Sequence, residues 1–251
     1  MRILLLCDSV LSAFDLSVLD EICRHSQLQI VGAVINAKQK PGAMQRVKRE
    51  LRRGRGGYVI VQIASKLFRR SNEKSKAAAE YCKERGIPST AATSLYNEQT
   101  LAWMRAQAAD VMFLRGFGII REPVLSLTPF GVLSYHHGDL RKYRGGPPAF
   151  WELYNGEKEM GITMQILDEG LDTGTIVLQR SVGIKKSDSW KALRMRAYEA
   201  SVSMAAEALL KLASTGPVKA PEGAKGRLYT LPNLRQWLYL QLEVVLRKLT
   251  P

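Results

Sequence analysis

Imidazole and carboxylate side chains are concentrated between Ser134 and Gln179. This segment places His136 and His137 before a loop rich in glycine and proline, and it continues to an acidic loop that contains Asp172. A protonated imidazole can stabilise an oxyanion, and a carboxylate can hold that imidazole in its charged form. The pair therefore suits acyl transfer to an amine, in which a carbonyl gains negative charge while the amine loses a proton.

The same side chains have two other interpretations. The histidines could be ordinary polar residues at the end of a strand, with Asp168, Glu169 and Asp172 in a solvated turn. They could also bind a metal, but no H-x-x-x-H or similar spacing supports this, and no metal site is predicted. The residues alone leave the solvated-turn interpretation open.

Short aliphatic runs alternate with longer amphipathic stretches, a pattern typical of strands and helices layered around a parallel sheet. The sequence therefore predicts an α/β domain. The predicted strands are 2–7, a run beginning at Leu28, 110–114, 132–135, 162–167 and 176–180. The predicted helices are 16–23, 76–85, 98–108, 148–155 and 189–213. Because ligands bind beyond the carboxyl ends of strands in such sheets, we expect the polar loops after 132–135 and 162–167 to face one cleft.

Composition and short motifs exclude several classes of protein. The 251 residues are 46% hydrophobic, which suits one main domain. No apolar run reaches the roughly 18 residues of a membrane span, and the opening MRILLLCDS is too brief for a secretory signal. Three cysteines without a C-x-x-C unit favour a reducing cytoplasm. The first strand is followed by CDSVLSA and not by G-x-G-x-x-G, which argues against a nicotinamide or flavin dinucleotide enzyme.

Positive charge is concentrated in an insertion at about 38–76, in a chain whose formal net charge is +14. The insertion is either a solvated surface or a docking patch for phosphate-bearing substrate or an anionic membrane, and nucleic acid is the least favoured partner. If the patch docks on a membrane, the protein is a peripheral membrane protein. The apolar side of the patch would comprise Tyr58, Val59, Ile60, Ile63, Leu67 and Phe68.

The segment from Gly131 to Gln179 resembles the folate-dependent formyltransferase family, which includes enzymes that formylate glycinamide ribonucleotide, initiator methionyl-tRNA and nucleotide-linked amino sugars. The family pattern is N-x-H-x-S-L-L-P-x-Y-R-G, then G-x-T, then L-D-x-G. This chain has S-Y-H-H-G-D-L-R-K-Y-R-G from Ser134, G-I-T at Gly161–Thr163 and L-D-T-G at Leu171–Gly174. When His136 is taken as the family histidine, the Y-R-G triplet stays in register without a gap.

The resemblance implies a Rossmann-like formyltransferase fold over residues 1–213, with a mostly parallel sheet and helices on both faces, followed by a linker and C-terminal extension at 214–251. It implies 10-formyltetrahydrofolate as the formyl donor, and catalytic roles for His136 and Asp172, with Ser134 at the position of the family's asparagine. The expected folate-binding residues are Phe117, Gly118, Ile119, Ile120, Val132, Leu167 and Asp168. The expected substrate-binding residues are His137, Tyr143 and Arg144.

The sequence departs from the family pattern at Ser134 and at Gly138–Arg141, where the family has asparagine and S-L-L-P. We expect formyl transfer to a small amine acceptor, with a nucleotide-linked amino sugar as the first choice, because the residues after Ala213 are too few for the second domain that tRNA formylation normally uses. The alternatives are hydrolysis of the formyl donor, a methionyl-tRNA formyltransferase-like protein, and a folate-binding homologue with impaired catalysis. A homodimer is a further expectation.

Overall fold

The sheet is formed by the aliphatic runs of the sequence. A computed structural model describes residues 1–38, 42–52, 75–218 and 226–249. Its strands are β1 (Arg2–Asp8), β2 (Val10–Leu11), β3 (Gln29–Asn36), β4 (Lys76–Ala77), β5 (Ser89–Ala92), β6 (Val111–Arg115), β7 (Val132–His136), β8 (Tyr143–Gly145), β9 (Glu159–Ile166), β10 (Thr175–Gly183) and β11 (Arg227–Tyr229). Seven of them form one sheet in the order β10-β9-β7-β6-β1-β3-β5.

Helices cover this sheet on both faces. The described helices are α1 (Ala13–Cys23), α2 (Ala43–Arg52), α3 (Ala78–Glu84), α4 (Glu98–Ala106), α5 (Phe150–Tyr154), α6 (Trp190–Ser201), α7 (Met204–Thr215) and α8 (Leu234–Leu249). Strand β1 lies inside the sheet, between β6 and β3, so Leu5 packs in one hydrophobic cluster with α1, α3 and α7, while Leu6 packs in the other with α4. Burial on both faces explains why β1 reads as a continuous apolar run. The predicted α/β fold with a mostly parallel sheet is confirmed.

The sheet changes direction beside β7. Strands β5, β3, β1, β6 and β7 are parallel to one another, whereas β9 is antiparallel to both β7 and β10. His136 is opposite Thr163 and Leu133 is opposite Ile166, so the loop after β9 starts near the beginning of β7. The two polar loops therefore leave opposite ends of the neighbouring strands β7 and β9. Residues 167–174 fold back, so that Asp172 reaches the end of β7.

The helix predicted over 189–213 is two helices, α6 and α7. The Tyr135 hydroxyl donates a hydrogen bond to the Ser201 carbonyl and accepts one from the Ala205 N–H. These two backbone groups would pair with each other in a continuous α-helix, so the inserted hydroxyl separates the helix into two. A tyrosine more than sixty residues earlier therefore sets the boundary.

The segment after 226 packs onto the α/β domain. Strand β11 pairs in parallel with β8, placing Tyr229 opposite Gly145. In α8, Trp237 stacks on Phe150 with ring centroids 5.7 Å apart, and Leu240 is fully buried. None of the described helices is long and apolar enough to cross a membrane. The six apolar residues predicted to line the basic insertion lie outside the described residues.

Candidate active site

His136 ends strand β7 with its ring buried and both nitrogens facing hydrogen-bond acceptors. Its Nε2 lies 2.7 Å from the Tyr143 carbonyl oxygen, which can only accept, so Nε2 carries a proton. Its Nδ1 lies 3.4 Å from Oδ1 of Asp172. The doubly protonated imidazolium is the one form that can donate to both neighbours.

A glycine makes the position of this ring possible. A Cβ atom at Gly138 would lie 2.6 Å from His136 Nε2 and 3.2 Å from the Tyr143 carbonyl oxygen. The Gly138 carbonyl in turn accepts a 2.8 Å hydrogen bond from Thr163 Oγ1, which fixes the start of the loop to strand β9. The main chain after β7 is therefore packed directly against the histidine ring.

Asp172 is held by donors on several sides in a left-handed backbone conformation, with φ of 51°. Its Oδ2 accepts a 2.8 Å hydrogen bond from the Gly145 N–H, and its Oδ1 accepts one of 3.3 Å from Gln165 Nε2. Burial raises the pKa of Asp172, but the hydrogen bonds and the charge of His136 outweigh burial, so its pKa lies below the ordinary 3.8. The group is an anion at neutral pH and supports a positive charge on His136.

Gln165 fixes the loop that carries Asp172, and it was not predicted from the sequence. Its side chain is 1% exposed, and its Oε1 accepts a 3.1 Å hydrogen bond from the Gly174 N–H while its Nε2 binds Asp172. The oxygen and the nitrogen of the Gln165 amide thus each bind a residue of the turn. A signal was available, because Thr163 and Gln165 alternate with buried aliphatic residues in β9 and mark a polar strip on one face.

Ser134 is on the same face of β7 as His136 and lies opposite Gln165 in the neighbouring strand. Its hydroxyl has a single long contact, 3.4 Å to the carbonyl oxygen of Tyr135. Such a contact is at the weak end of hydrogen-bond geometry, so the hydroxyl can turn toward a bound ligand.

The residues predicted to bind folate are brought together only in part. Phe117, Ile120, Val132 and Leu167 belong to one hydrophobic cluster. Gly118 is in an open turn with φ of 70°, Ile119 is 61% exposed, and Asp168 is exposed and accepts hydrogen bonds from Gly170 and Thr173. Four of the seven therefore form an apolar wall, and the other three lie at its exposed rim.

The predicted substrate-binding residues have partners within the protein. The His137 ring is 4.5 Å from the Tyr198 ring and its Nε2 is 3.2 Å from Ser201 Oγ. Burial, together with the charges of Arg115 and His136, lowers the pKa of His137 to about 3, so this second histidine is neutral. The Tyr143 hydroxyl donates to Glu157, while Arg144 donates to the carbonyls of Gly226 and Leu171.

A buried carboxyl group, also not predicted from the sequence, lies close to these residues. Glu152 on α5 is 3% exposed and lines a cavity of about 10 Å³ together with His136 and His137. Its position inside the apolar run F-W-E-L-Y was the available signal, because an unpaired charge is rarely buried. Across the described ranges, no group of three or more His, Cys, Asp or Glu residues could hold a metal ion.

Fold and site together define a Rossmann-like α/β protein whose polar centre is a buried histidine–aspartate pair beside an apolar wall. A family model described as formyl transferase matches residues 18–209. The chain belongs to the formyl transferase family.

Known proteins agree with this assignment. The chain is 30% identical over 172 residues to the methionyl-tRNA formyltransferase of Anaeromyxobacter dehalogenans, a match that covers 66% of this chain and 55% of that protein. The chain spans about half the length of the curated relatives it matches.

Two solved structures share the fold. Glycinamide ribonucleotide transformylase 1 from Symbiobacterium toebii has a TM-score of 0.62 at 18% identity, covering 91% of this chain and 94% of its own. An N-formyltransferase from Helicobacter canadensis, in complex with folinic acid and dTDP-3-aminofucose, has a TM-score of 0.57 at 14% identity, covering 92% and 71%.

Proposed function

We propose that the protein transfers a formyl group from 10-formyltetrahydrofolate to the amine of a small acceptor. The observation that carries the proposal is the buried His136–Asp172 pair, in which the imidazole faces two acceptors and the carboxylate is held as an anion. Membership of the formyl transferase family supports the reaction class. The Helicobacter canadensis structure with folinic acid supports the donor.

His136 stabilises the negative charge that develops on the formyl oxygen. Its Nε2–H is held by the Tyr143 carbonyl at 2.7 Å, so the Nδ1–H, with the longer 3.4 Å contact, is the proton that can be presented to the oxyanion. The Asp172 carboxylate, 3.4 Å from Nδ1, favours the charged form of the ring. We assign the Ser134 hydroxyl a second donor role, in place of the family's asparagine.

The reaction balances without a further reactant. A bond forms between the acceptor nitrogen and the formyl carbon, and the bond between that carbon and the carrier nitrogen breaks. The proton lost by the acceptor nitrogen ends on the carrier nitrogen. The Asp172 carboxylate lies at the centre and can assist this transfer through water.

The donor fits the apolar wall beside the pair. A flat heteroaromatic ring needs apolar side chains on its faces; the partly buried Phe117 and Leu167 can supply them, while the buried Ile120 and Val132 support them from behind. Leu171, in the loop that carries Asp172, is a large apolar side chain with 46% exposure.

We propose a nucleotide-linked amino sugar as the acceptor. The net charge of +14 suits a diphosphate, and the structural neighbour from Helicobacter canadensis contains dTDP-3-aminofucose. A second candidate is the aminoacyl group of a charged tRNA, which is favoured by the methionyl-tRNA formyltransferases among the curated relatives.

A panel of acceptors tests both. Purified protein is incubated with the formyl donor and either dTDP- and UDP-amino sugars, glycinamide ribonucleotide or charged initiator tRNA, and formylated product is detected by mass spectrometry. We expect product with a nucleotide sugar and none with His136→Ala. Formylation of tRNA alone would replace the first acceptor by the second. Formate release without any acceptor would indicate a hydrolase, and no turnover despite folate binding would contradict the proposed function.

We further infer that the basic insertion contacts phosphate groups of a substrate or of an anionic membrane, that the protein is cytoplasmic, and that it forms a homodimer. The charge supports the first inference, and the free thiols of Cys7, Cys23 and Cys82 support the second. The dimer is an expectation that light scattering checks. Flotation with anionic and neutral liposomes at low and high salt tests the membrane contact, because electrostatic binding must weaken with salt.

A further inference from the structure

Glu152 lies beside the His136 ring but has no part in the proposed chemistry. Its side chain is 3% exposed, and the cavity that it lines with His136 and His137 has a volume of about 10 Å³, room for about one water molecule. A buried carboxylate normally requires a cationic partner. Among the described residues, no lysine or arginine forms an ion pair with Glu152.

Several titratable or charged groups surround this cavity. They are His136 and His137 from β7, Tyr143 and Arg144 from β8, Tyr229 from β11, Glu157 after α5, and Asp172 on the far side of the His136 ring. Most of them are engaged elsewhere. Arg144 donates to main-chain carbonyls, Glu157 binds the Tyr143 hydroxyl, and Tyr143 presents its backbone carbonyl to His136.

His136 is the cation whose charge acts on Glu152. Burial raises the pKa of Glu152 to about 7, and the charge of Glu157 adds to this rise. The N–H of Glu152 itself and the charge of His136 act in the opposite direction. Opposite charges on these two side chains therefore attract each other across the cavity.

We propose that Glu152 is a positioning residue for His136: across the shared cavity, the negative charge of ionised Glu152 stabilises the charged imidazole, whose two nitrogens face the Tyr143 carbonyl and Asp172. The proposal stands on the shared cavity, the burial of the carboxyl group and its lack of a basic partner in the described ranges. It rests on the proposed function, because it concerns the residue placed at the reacting centre. It adds a second carboxyl group to the His136–Asp172 pair.

The first test is nuclear magnetic resonance of histidine-labelled protein, which has three histidines. In the wild type, we expect the His136 ring signals to change near the pH at which Glu152 ionises, about 7. Glu152→Gln removes this change while keeping the size and shape of the side chain. Glu157→Gln is the matched control: it removes a neighbouring carboxyl group that binds Tyr143 and does not line the cavity, so the change should remain.

The second test is the pH profile of kcat/KM. Below pH 7, protonated Glu152 is neutral like glutamine, so Glu152→Gln should resemble the wild type. Above pH 7, the variant lacks a negative charge beside His136, and we expect a loss of about 10-fold at about pH 8, the effect of one pKa unit of interaction. Glu152→Asp, which keeps the carboxyl group, should restore part of the loss.

The outcomes separate this proposal from the proposed function. Identical His136 signals in the wild type and Glu152→Gln, or an equal loss of kcat/KM at every pH, would overturn the charge interaction and leave a packing role. If Glu152→Gln does not fold, the same comparison is made with Glu152→Asp, whose shorter arm must move the pH at which the His136 signals change. If the His136 signals depend on Glu152 but no formyl group is transferred, the interaction between Glu152 and His136 is supported and the proposed function is contradicted.

Discussion

A single methyl group at Gly138 is expected to displace the histidine at the centre of the site. In Gly138→Ala, the new Cβ would lie 2.6 Å from His136 Nε2, whereas ordinary contacts begin at 3.4 Å. The ring or the loop must therefore move by about 0.8 Å. That movement lengthens the 2.7 Å hydrogen bond from Nε2 to the Tyr143 carbonyl beyond the range of a hydrogen bond.

Two magnitudes follow from this displacement. Leaving the buried Tyr143 carbonyl without its donor costs about 1–3 kcal/mol of unfolding free energy. Misplacing a catalytic group by about 1 Å lowers turnover by about 100-fold. The φ of Gly138 is outside the left-handed region, so alanine is tolerated by the backbone and the effect comes from the Cβ contact.

The assay compares kcat and chemical unfolding of Gly138→Ala with those of Gly183→Ala. A Cβ at Gly183 would meet no atom within 4 Å, and its φ is not left-handed, so this substitution should change neither quantity. The nitrogen signals of His136 report its hydrogen bond to Tyr143 without any need to know the acceptor substrate. Wild-type kcat together with unchanged His136 signals in Gly138→Ala would refute the reasoning.

Substitutions at three further positions test the groups around the histidine. Asp172→Asn should lower kcat by about 100-fold or more. It should also lower the free energy of unfolding, measured with urea, because the Asp172 anion stabilises the folded state. This loss should be complete above the ordinary pKa of 3.8 and should disappear as the pH falls through the lower pKa of the folded state. If the Ser134 hydroxyl is a donor, Ser134→Ala should lower kcat by about 10-fold or more, whereas Ser134→Asn should not. Equal rates in the wild type and both variants would contradict this role. Gly145→Ala should lower thermal stability by about 1–3 kcal/mol or more, since φ is 80° and its Cβ would lie 2.1 Å from the Tyr229 carbonyl oxygen; an unchanged melting temperature would show that β11 yields.

The sequence predicts those strands whose burial requires a run of apolar residues. Strands β1, β3 and β6 are covered on both faces and read as apolar runs, so their positions were found. The direction of β9 could not be found, because alternation is the same in parallel and antiparallel strands. Strands β8 and β11 have three residues each, too few for a period.

The site was predicted where motifs are local and missed where partners are distant. The 3.4 Å contact between His136 and Asp172 agrees with their pairing from the sequence motif, while their catalytic roles stay predictions. Gln165 and Glu152 have no motif of their own, since each acquires its environment from residues of other elements. The boundary between α6 and α7 is of the same kind, because a hydroxyl on β7 produces it.

Gly145 connects Asp172 to a distant part of the chain. Its N–H donates to the Asp172 carboxylate, and its strand is completed by β11, which leaves the ribosome long after β8. A chain that ends before residue 227 contains both His136 and Asp172 but lacks the strand that pairs with β8. We expect such a chain to hold the Gly145 N–H, and with it the Asp172 carboxylate, less firmly.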